Sequence, residues 1–318
     1  MQEKIIQVLK DHDGYFSGEE ISEQLKISRA AIWKYIQELR HIGYDIVAVP
    51  HLGYKLASSP DKLFSYEIQH NLHTKILGKK IEYHETCSST MDLAFQKGVD
   101  GAPEGTVVFS DGQSKGRGRL GRAWFSPKGK GIYMSVILRP QLNPTQAAQL
   151  TLLTGVAVSQ AVKNTSNISA LIKWPNDILV HHKKLAGILT EISAEIDRVK
   201  FVIVGIGINV NAKLDQLVPG ATSILAENKH PVSRVDLAKE ILREIEKWYL
   251  LFQSSGFEPV AKKWKELSAT LHKRVRIADP AGVIEGIAVD IDHDGGLLIR
   301  KDSGVIVKKM AGDVVVVK

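Results

Sequence analysis

QSKGRGRLGRAWFSPKGKG, from Gln113 to Gly131, contains five glycines, six lysines or arginines and no acidic residue. It lies between TVVFSD (106–111) and IYMSVIL (132–138), two short apolar runs that read as strands. Within it GRGRLG, Gly116 to Gly121, matches G-x-G-x-x-G, and the reading of that match decides the fold of the central chain. A dinucleotide-binding βαβ unit needs a helix directly after the glycines and an acidic residue about 20 positions on. Here WFSPKGKG breaks any helix, and no acidic residue stands where one is required. A protein-kinase glycine loop does lie between strands, but the chain has neither H-R-D nor D-F-G. The stretch therefore predicts a cationic loop between two strands.

The loop concentrates the charge of the chain. Of a net +7 over 318 residues, segment 110–139 contributes seven basic residues against one acidic, whereas 1–60 has seven against eight. Such a local surplus points to an anionic ligand held in one place. Glycines let backbone N–H groups approach phosphate oxygens, and Arg117, Arg119 and Arg122 can pair bidentately with phosphate or carboxylate. Charges this close repel when no anion is present, so the loop is expected to be mobile alone and ordered around its ligand. Trp124 offers a flat face for a base, or else packs into the core.

Further strands follow downstream. ALIKW, DILV, KLAGILTEIS and VKFVIVGIGINV are apolar runs, and residues 145–163 form a helical pattern apolar nearly all round, hence buried. K-W-P-N-D, Lys173 to Asp177, places Asn176 and Asp177 at a strand end behind a stiffening Pro175. Asp177 can receive Mg²⁺ or a proton. Lys184 precedes an apolar strand and can point a fixed charge into a cleft, while Lys183, His181 and His182 solvate the turn. Gly187 permits close approach of a ligand, and GIGIN, Gly205 to Asn209, ends its strand with a similar permissive patch. CSST, Cys87 to Thr90, supplies hydroxyls suited to a polar ligand or to a helix cap. Ser233 can cap a long helix running to about Gln253. From about 272 the chain turns to short strands with DHDGG and DSG turns, the pattern of a small β-barrel.

The first sixty residues read as a helical module. Ser17 and Glu20 form a capping box, and Ser28 caps a third helix, SRAAIWKYIQELR, with Ile32, Ile36 and Leu39 inward. Two strands around a Pro/Gly turn at His51 follow. This is the pattern of a winged helix-turn-helix. Its candidate DNA-contacting residues are Ser28, Arg29, Ala30, Trp33, Lys34, Gln37 and His51, with Arg40 adding charge to the same helix. ASSPDK (57–62) reads as a linker. A single cysteine, Cys87, fits a reducing compartment. With no apolar stretch of about 18 residues and no signal peptide, a cytoplasmic location without a membrane partner is expected.

Taken in order, SST (88–90), GRGRLGRAWFSP, KWPND, KLAGIL and GIGIN, preceded by SRAAIWKYI and followed by a small barrel, resemble the bifunctional biotin protein ligases that also repress biotin operons. The resemblance implies an α+β fold. It would comprise a winged helix-turn-helix (1–60), a central mixed α/β catalytic domain akin to class II synthetase folds (64–270) and an SH3-like β-barrel (271–318). It implies ATP, biotin and Mg²⁺ as ligands. The partners implied are the biotin carboxyl carrier protein of acetyl-CoA carboxylase or another carboxylase, operator DNA, and a second copy of the chain. It further implies that Ser89, Thr90 and Gln113 hold biotin together with Gly116, Gly187 and Lys184, and that Arg117, Gly118 and Arg119 close over the adenylate. Arg122 would contact phosphate and Trp124 would stack the adenine near Asn176, Asp177 and Asn209. Lys184, Arg119 and Asp177 would carry the chemistry. The family often has Ser-Thr-Asn where this chain has Ser89-Thr90-Met91, so Met91 is given no polar role. A ligand-sensing transcription factor without turnover and a lipoate-type ligase are the alternatives.

Overall fold

Ser17, Ser28, Ser223 and Ser233 each start a helix, as their neighbours dictate. The computed structural model describes residues 1–12, 14–279 and 282–317, which fall into two compact units, 1–62 and 63–318. In the first, α1 (Gln2–Lys10) is followed by α2 (Gly18–Leu25), whose capping box is complete: Glu20 N donates to Ser17 Oγ and Ser17 N donates to Glu20. Ser28 Oγ accepts from Ala31 N at the start of α3 (Arg29–His41). Ile5, Ile6, Ile21, Ile32, Ile36 and Leu39 are buried in this unit. Strands β1 (Asp45–Val49) and β2 (Gly53–Ser58) make the expected antiparallel hairpin. On α3, Arg29, Ala30 and Lys34 are exposed, Trp33 is 59% exposed, and Gln37 is half-buried. Arg40 departs from the expected charged face. Its Nε donates to Ile46 O at 2.9 Å, which braces β1 rather than offering charge.

Ser28→Ala removes one helix cap and leaves the buried side of α3 untouched. The expected cost is about 1 kcal/mol, which for a unit of this size lowers its thermal midpoint by roughly 5 °C. Calorimetry of the full chain measures it.

The second unit opens with α4 (Ser65–Gln69), β3 (Ile81–His84), α5 (Thr90–Val99), β4 (Val107–Ser110), β5 (Gly131–Leu138) and α6 (Ala147–Ser166). It continues with β6 (Leu171–Lys173), β7 (Asp177–Val180), β8 (Lys183–Ala194), β9 (Val199–Asn209), α7 (Ile224–Asn228), α8 (Arg234–Ser255) and α9 (Glu258–Glu266). Seven strands form one sheet in the order β3-β4-β5-β9-β8-β7-β6, parallel only between β3 and β4. Helices cover both faces, which is why β5 is buried throughout. The alternation is visible in the core: Val136, Leu138, Val202 and Val204 join the large cluster with α6, α8 and α9. Ile137, Phe201 and Ile203 pack with Met91 and Ala94 of α5.

The C-terminal strands β10 (Arg274–Asp279), β11 (Gly282–Ile291), β12 (Leu297–Arg300), β13 (Ile306–Lys309) and β14 (Asp313–Val316) pair antiparallel in the order β13-β12-β11-β10-β14. Among the described residues β13 and β14 do not pair with each other, so the pairings make a five-stranded sheet and not a closed barrel. Val275, Ile277, Leu297 and Ile299 belong to the same core cluster as the large sheet. Trp174 fixes the junction, its backbone N donating to Thr270 Oγ1 and its indole N–H to Gly295 O. No helix among the described residues is long and apolar enough to cross a membrane.

Candidate functional site

Strand β9 changes character along one face. Phe201 and Ile203 are core under α5, but the next residues on that side are Gly205, Gly207 and Asn209. Where α5 ends, the sheet is floored by glycine. A Cβ on Gly205 would strike Met91 Sδ, and one on Gly207 would lie 2.5 Å from the Trp124 indole. Gly187, paired with Gly207 in register, would bring a Cβ to 3.0 Å from the same ring. The indole thus lies on bare backbone, with its buried Nε1 unbonded.

The cationic segment arches over this floor as a hairpin-like finger. Backbone bonds run Gly129 N to Asp111 O (2.9 Å), Gln113 N to Ser126 O (3.3 Å), Trp124 N to Gly116 O (2.8 Å) and Gly118 N to Arg122 O (2.7 Å). A single 3₁₀ turn, Arg119–Gly121, forms the tip, where Leu120 is 73% exposed and left-handed (φ 54°). No longer helix follows the glycines. Gly116 is required by the close crossing, because a Cβ there would meet Trp124 O and Ser126 Oγ. Gln113 anchors one side: its Oε1 accepts from Thr90 N (2.8 Å) and Thr90 Oγ1 (3.2 Å), and its Nε2 donates to Ser126 Oγ (2.9 Å). Ser89, the residue before α5, has a fully buried hydroxyl with no partner and does not cap the helix.

The expected repulsion among the arginines is relieved by groups distant in sequence. Arg117 Nη2 lies 2.8 Å from Glu191 and 2.9 Å from Asp92. Arg122 pairs with Asp313 of β14, which raises its pKa. Arg119 meets only neutral oxygens, Asn176 Oδ1 at 3.1 Å and Gly312 O at 3.4 Å. Burial disfavours its charge and lowers its pKa, against the pull of Asp313 and Asp177. Below it Lys184 Nζ sits 2.6 Å from Asp177 Oδ1 and 5.5 Å from the centre of the Trp124 ring. Asn176 Nδ2 donates to Ile188 O, and Asn209 Nδ2 donates to Thr222 O.

Two adjoining clefts result. The inner is lined by Thr90, Met91, Gln113, Arg119, Gly205 and Gly207 among others. The outer includes Gly116, His182, Asn209, the 217–221 loop and Val315–Val317. Gln113, Trp124, Asp177 and Lys184 line both. Every candidate residue of the central segment lines one cleft or the other except Ser89, which is buried next to Thr90. His182 was expected only to solvate a turn, yet it faces the outer cleft. His181 pairs with Glu227. Sequence reading missed Asp92, Glu191, Asp313 and the carbonyl of Gly312. Each lies far along the chain from the arginine it meets, or in a module read as separate.

This fold and site define a protein ligase of the biotin/lipoate class: residues 83–209 match the biotin/lipoate A/B protein ligase family. Residues 1–55 match an HTH domain and 270–317 the biotin protein ligase C terminal domain. The chain belongs to the biotin protein ligase family. It is 41% identical over 295 residues to the bifunctional ligase/repressor BirA of Bacillus subtilis (strain 168), covering 92% of this chain and 91% of that one. It is also 31% identical to the bifunctional ligase/repressor BirA of Escherichia coli (strain K12), over 98% and 95%. Among solved structures it resembles the biotin protein ligase from Aquifex aeolicus in complex with biotin and ATP. There the TM-score is 0.63 and identity 30%, over 74% of this chain and 98% of that one.

Proposed function

We propose that the protein couples biotin to ATP, giving biotinyl-5′-adenylate and pyrophosphate, and then transfers biotin to one lysine of a biotin carboxyl carrier protein. With biotinyl-5′-adenylate as corepressor, it binds operator DNA and represses biotin genes. The observation that carries this reading is the Lys184–Asp177 pair at the junction of two clefts, beneath an arginine that has no carboxylate partner. The inner cleft suits the biotin head group, with Thr90 and Gln113 at its polar side and Gly187 in its floor; the Ser89 hydroxyl, buried and unbonded beside Thr90, is the further polar group proposed for biotin. The outer cleft, with Asn209 and the 217–221 loop, suits the nucleotide. Trp124 stands between them to stack the adenine.

In the first step a carboxylate oxygen of biotin attacks the α-phosphorus of ATP, and the bond to the pyrophosphate oxygen breaks. Two anions must meet, so fixed cations at the meeting point lower the barrier. Lys184 and Arg119 supply them, Arg122 reaches phosphate, and Arg117 with Gly118 closes the finger. Mg²⁺ would come with ATP, and Asp177 would hold it as a hard oxygen ligand, the ion offsetting phosphate charge. In the second step the carrier lysine attacks the acyl carbon, AMP leaves, and the amine gives up a proton, for which Asp177 is at hand.

The remaining assignments complete the reading. The domains are 1–60, 64–270 and 271–318, the last an SH3-like barrel left open between β13 and β14 among the described residues, beside a class II synthetase-like centre. Ser28, Arg29, Ala30, Trp33, Lys34, Gln37 and His51 meet DNA. The chain acts as a cytoplasmic homodimer. β8 runs past the end of its pairing with β7, and among the described residues no strand pairs with that side of Thr190–Ala194, an edge suited to a second copy. The decisive experiment incubates the protein with biotin, ATP, Mg²⁺ and a carrier domain and follows the carrier mass. No gain overturns the ligase reading. A gel shift with and without adenylate tests the repressor.

Gly207→Ala should weaken ATP binding about tenfold by pushing the adenine-stacking indole off the floor while leaving the sheet paired. Titration calorimetry measures the affinity, and an unchanged value would show that the indole position is immaterial.

A further inference from the structure

The finger is fastened at its root by a buried ion pair that no step of the chemistry uses. Asp111 is its first residue and Gly131 its last. Arg234, at the first turn of α8, donates through Nη1 to Asp111 Oδ1 at 2.8 Å and to Gly131 O at 3.2 Å. The two side chains of this ion pair are each 3% exposed. Tyr83 of β3 donates its hydroxyl to the other carboxylate oxygen, Asp111 Oδ2, at 2.7 Å. Burial first, and then this carboxylate, raise the Tyr83 pKa, which keeps the hydroxyl protonated as a donor. Asp111 O also accepts from Gly129 N, so both strands of the finger meet at one carboxylate-bearing residue.

A buried ion pair is poor evidence for stability, because desolvation offsets most of the attraction. What this pair does is geometric. One guanidinium ties the outgoing strand, the returning strand and the start of α8 in a single unit. The next side-chain anchor on the outgoing strand is Gln113, and the finger tip with Arg119 lies beyond it. Small rotation at the root becomes displacement at the tip, where misplacement is costly for catalysis.

We infer that Arg234 and Asp111 form a clasp, and that they are positioning residues which set the finger over the acyl-adenylate without touching it. The inference rests on the ligase reading for its functional consequence, but its structural half is measurable alone. The test uses the full chain in four forms: wild type, Arg234→Lys, Arg234→Met, and the double change Asp111→Asn with Arg234→Met. Removing one partner strands a buried charge and is expected to destabilise. Removing both charges restores folding but not the clasp. The first readout is hydrogen exchange at the amides of Gln113, Gly118, Trp124 and Gly129, compared with amides of β9. The second is the half-life of enzyme-bound adenylate.

In the folded double variant, exchange in the finger should rise at least about tenfold with β9 unchanged, and adenylate retention should fall by a similar factor. Arg234→Lys, which keeps a donor, should recover part of both. Should Arg234→Met or the double variant fail to fold, Tyr83→Phe removes one bond to the same carboxylate, and a smaller rise confined to the finger is expected. Finger exchange equal to wild type in a folded variant overturns the clasp. A wild type that makes no adenylate overturns the ligase reading instead, and the exchange data still decide the clasp.

Discussion

Lys184→Ala is expected to abolish adenylate formation, with kcat/KM for pyrophosphate release falling by more than about 10³. The size follows from two losses that act together. Removing one preorganised charge aimed at a developing anion costs about 10² to 10³. Here the loss also strands Asp177, whose carboxylate is 2.6 Å from the ammonium, and turns a neutral pair into a negative charge facing two anionic substrates. Biotin affinity should change far less, because the head-group end of the inner cleft is built by Thr90 and Gln113, which bond each other. The signature is therefore a fall in rate with a modest change in binding.

Asp177 provides an internal control. If stranded charge accounts for part of the defect, Lys184→Ala combined with Asp177→Asn should lose roughly ten times less pyrophosphate release than the product of the two single losses, because relief of the stranded charge offsets the lost Mg²⁺ ligand, a coupling expected for residues in contact. Additive effects would mean that Lys184 and Asp177 act independently. Wild-type pyrophosphate release from Lys184→Ala would remove the lysine from the chemistry altogether.

Local signals were legible in the sequence, and long-range ones were not. Ser17, Ser28 and Ser233 cap their helices because a cap is decided within four residues. Strands β4, β5 and β9 stand out because both faces of the sheet are covered there, so their apolar runs are nearly unbroken. The change from Ile203 to Gly205 and Gly207 marks the pocket floor, and period-two alternation makes that readable too. The finger was different. Its backbone ladder runs through glycines and lysines that carry no strand signal, so it read as an open loop. Its charge was read as unbalanced because Arg122 and Asp313 are 191 positions apart. Arg40 misled in the opposite direction: on a helical wheel it adds charge to α3, yet a carbonyl of β1 takes it up.

Those counter-ions rank the three arginines, and the ranking makes Arg119→Ala the second large effect. An anion that recruits Arg117 must break contacts with both Asp92 and Glu191, and one that recruits Arg122 must displace Asp313. Arg119 gives up only two long bonds to neutral oxygens, and its burial leaves a charge poorly compensated before any ligand arrives. A phosphate there gains a charge-assisted contact and relieves that burden in one step. Truncating Arg119 should therefore shorten the half-life of bound adenylate by about 10 to 150-fold, the range for one lost bond to a charged group. Arg117→Ala should cost clearly less. Because escaped adenylate acylates amines unselectively, Arg119→Ala should biotinylate bystander proteins when mixed with a carrier domain and a protein pool. Mass spectrometry of that pool gives the ratio of bystander to carrier labelling, and selectivity equal to wild type would mean that the finger does not retain the intermediate through Arg119.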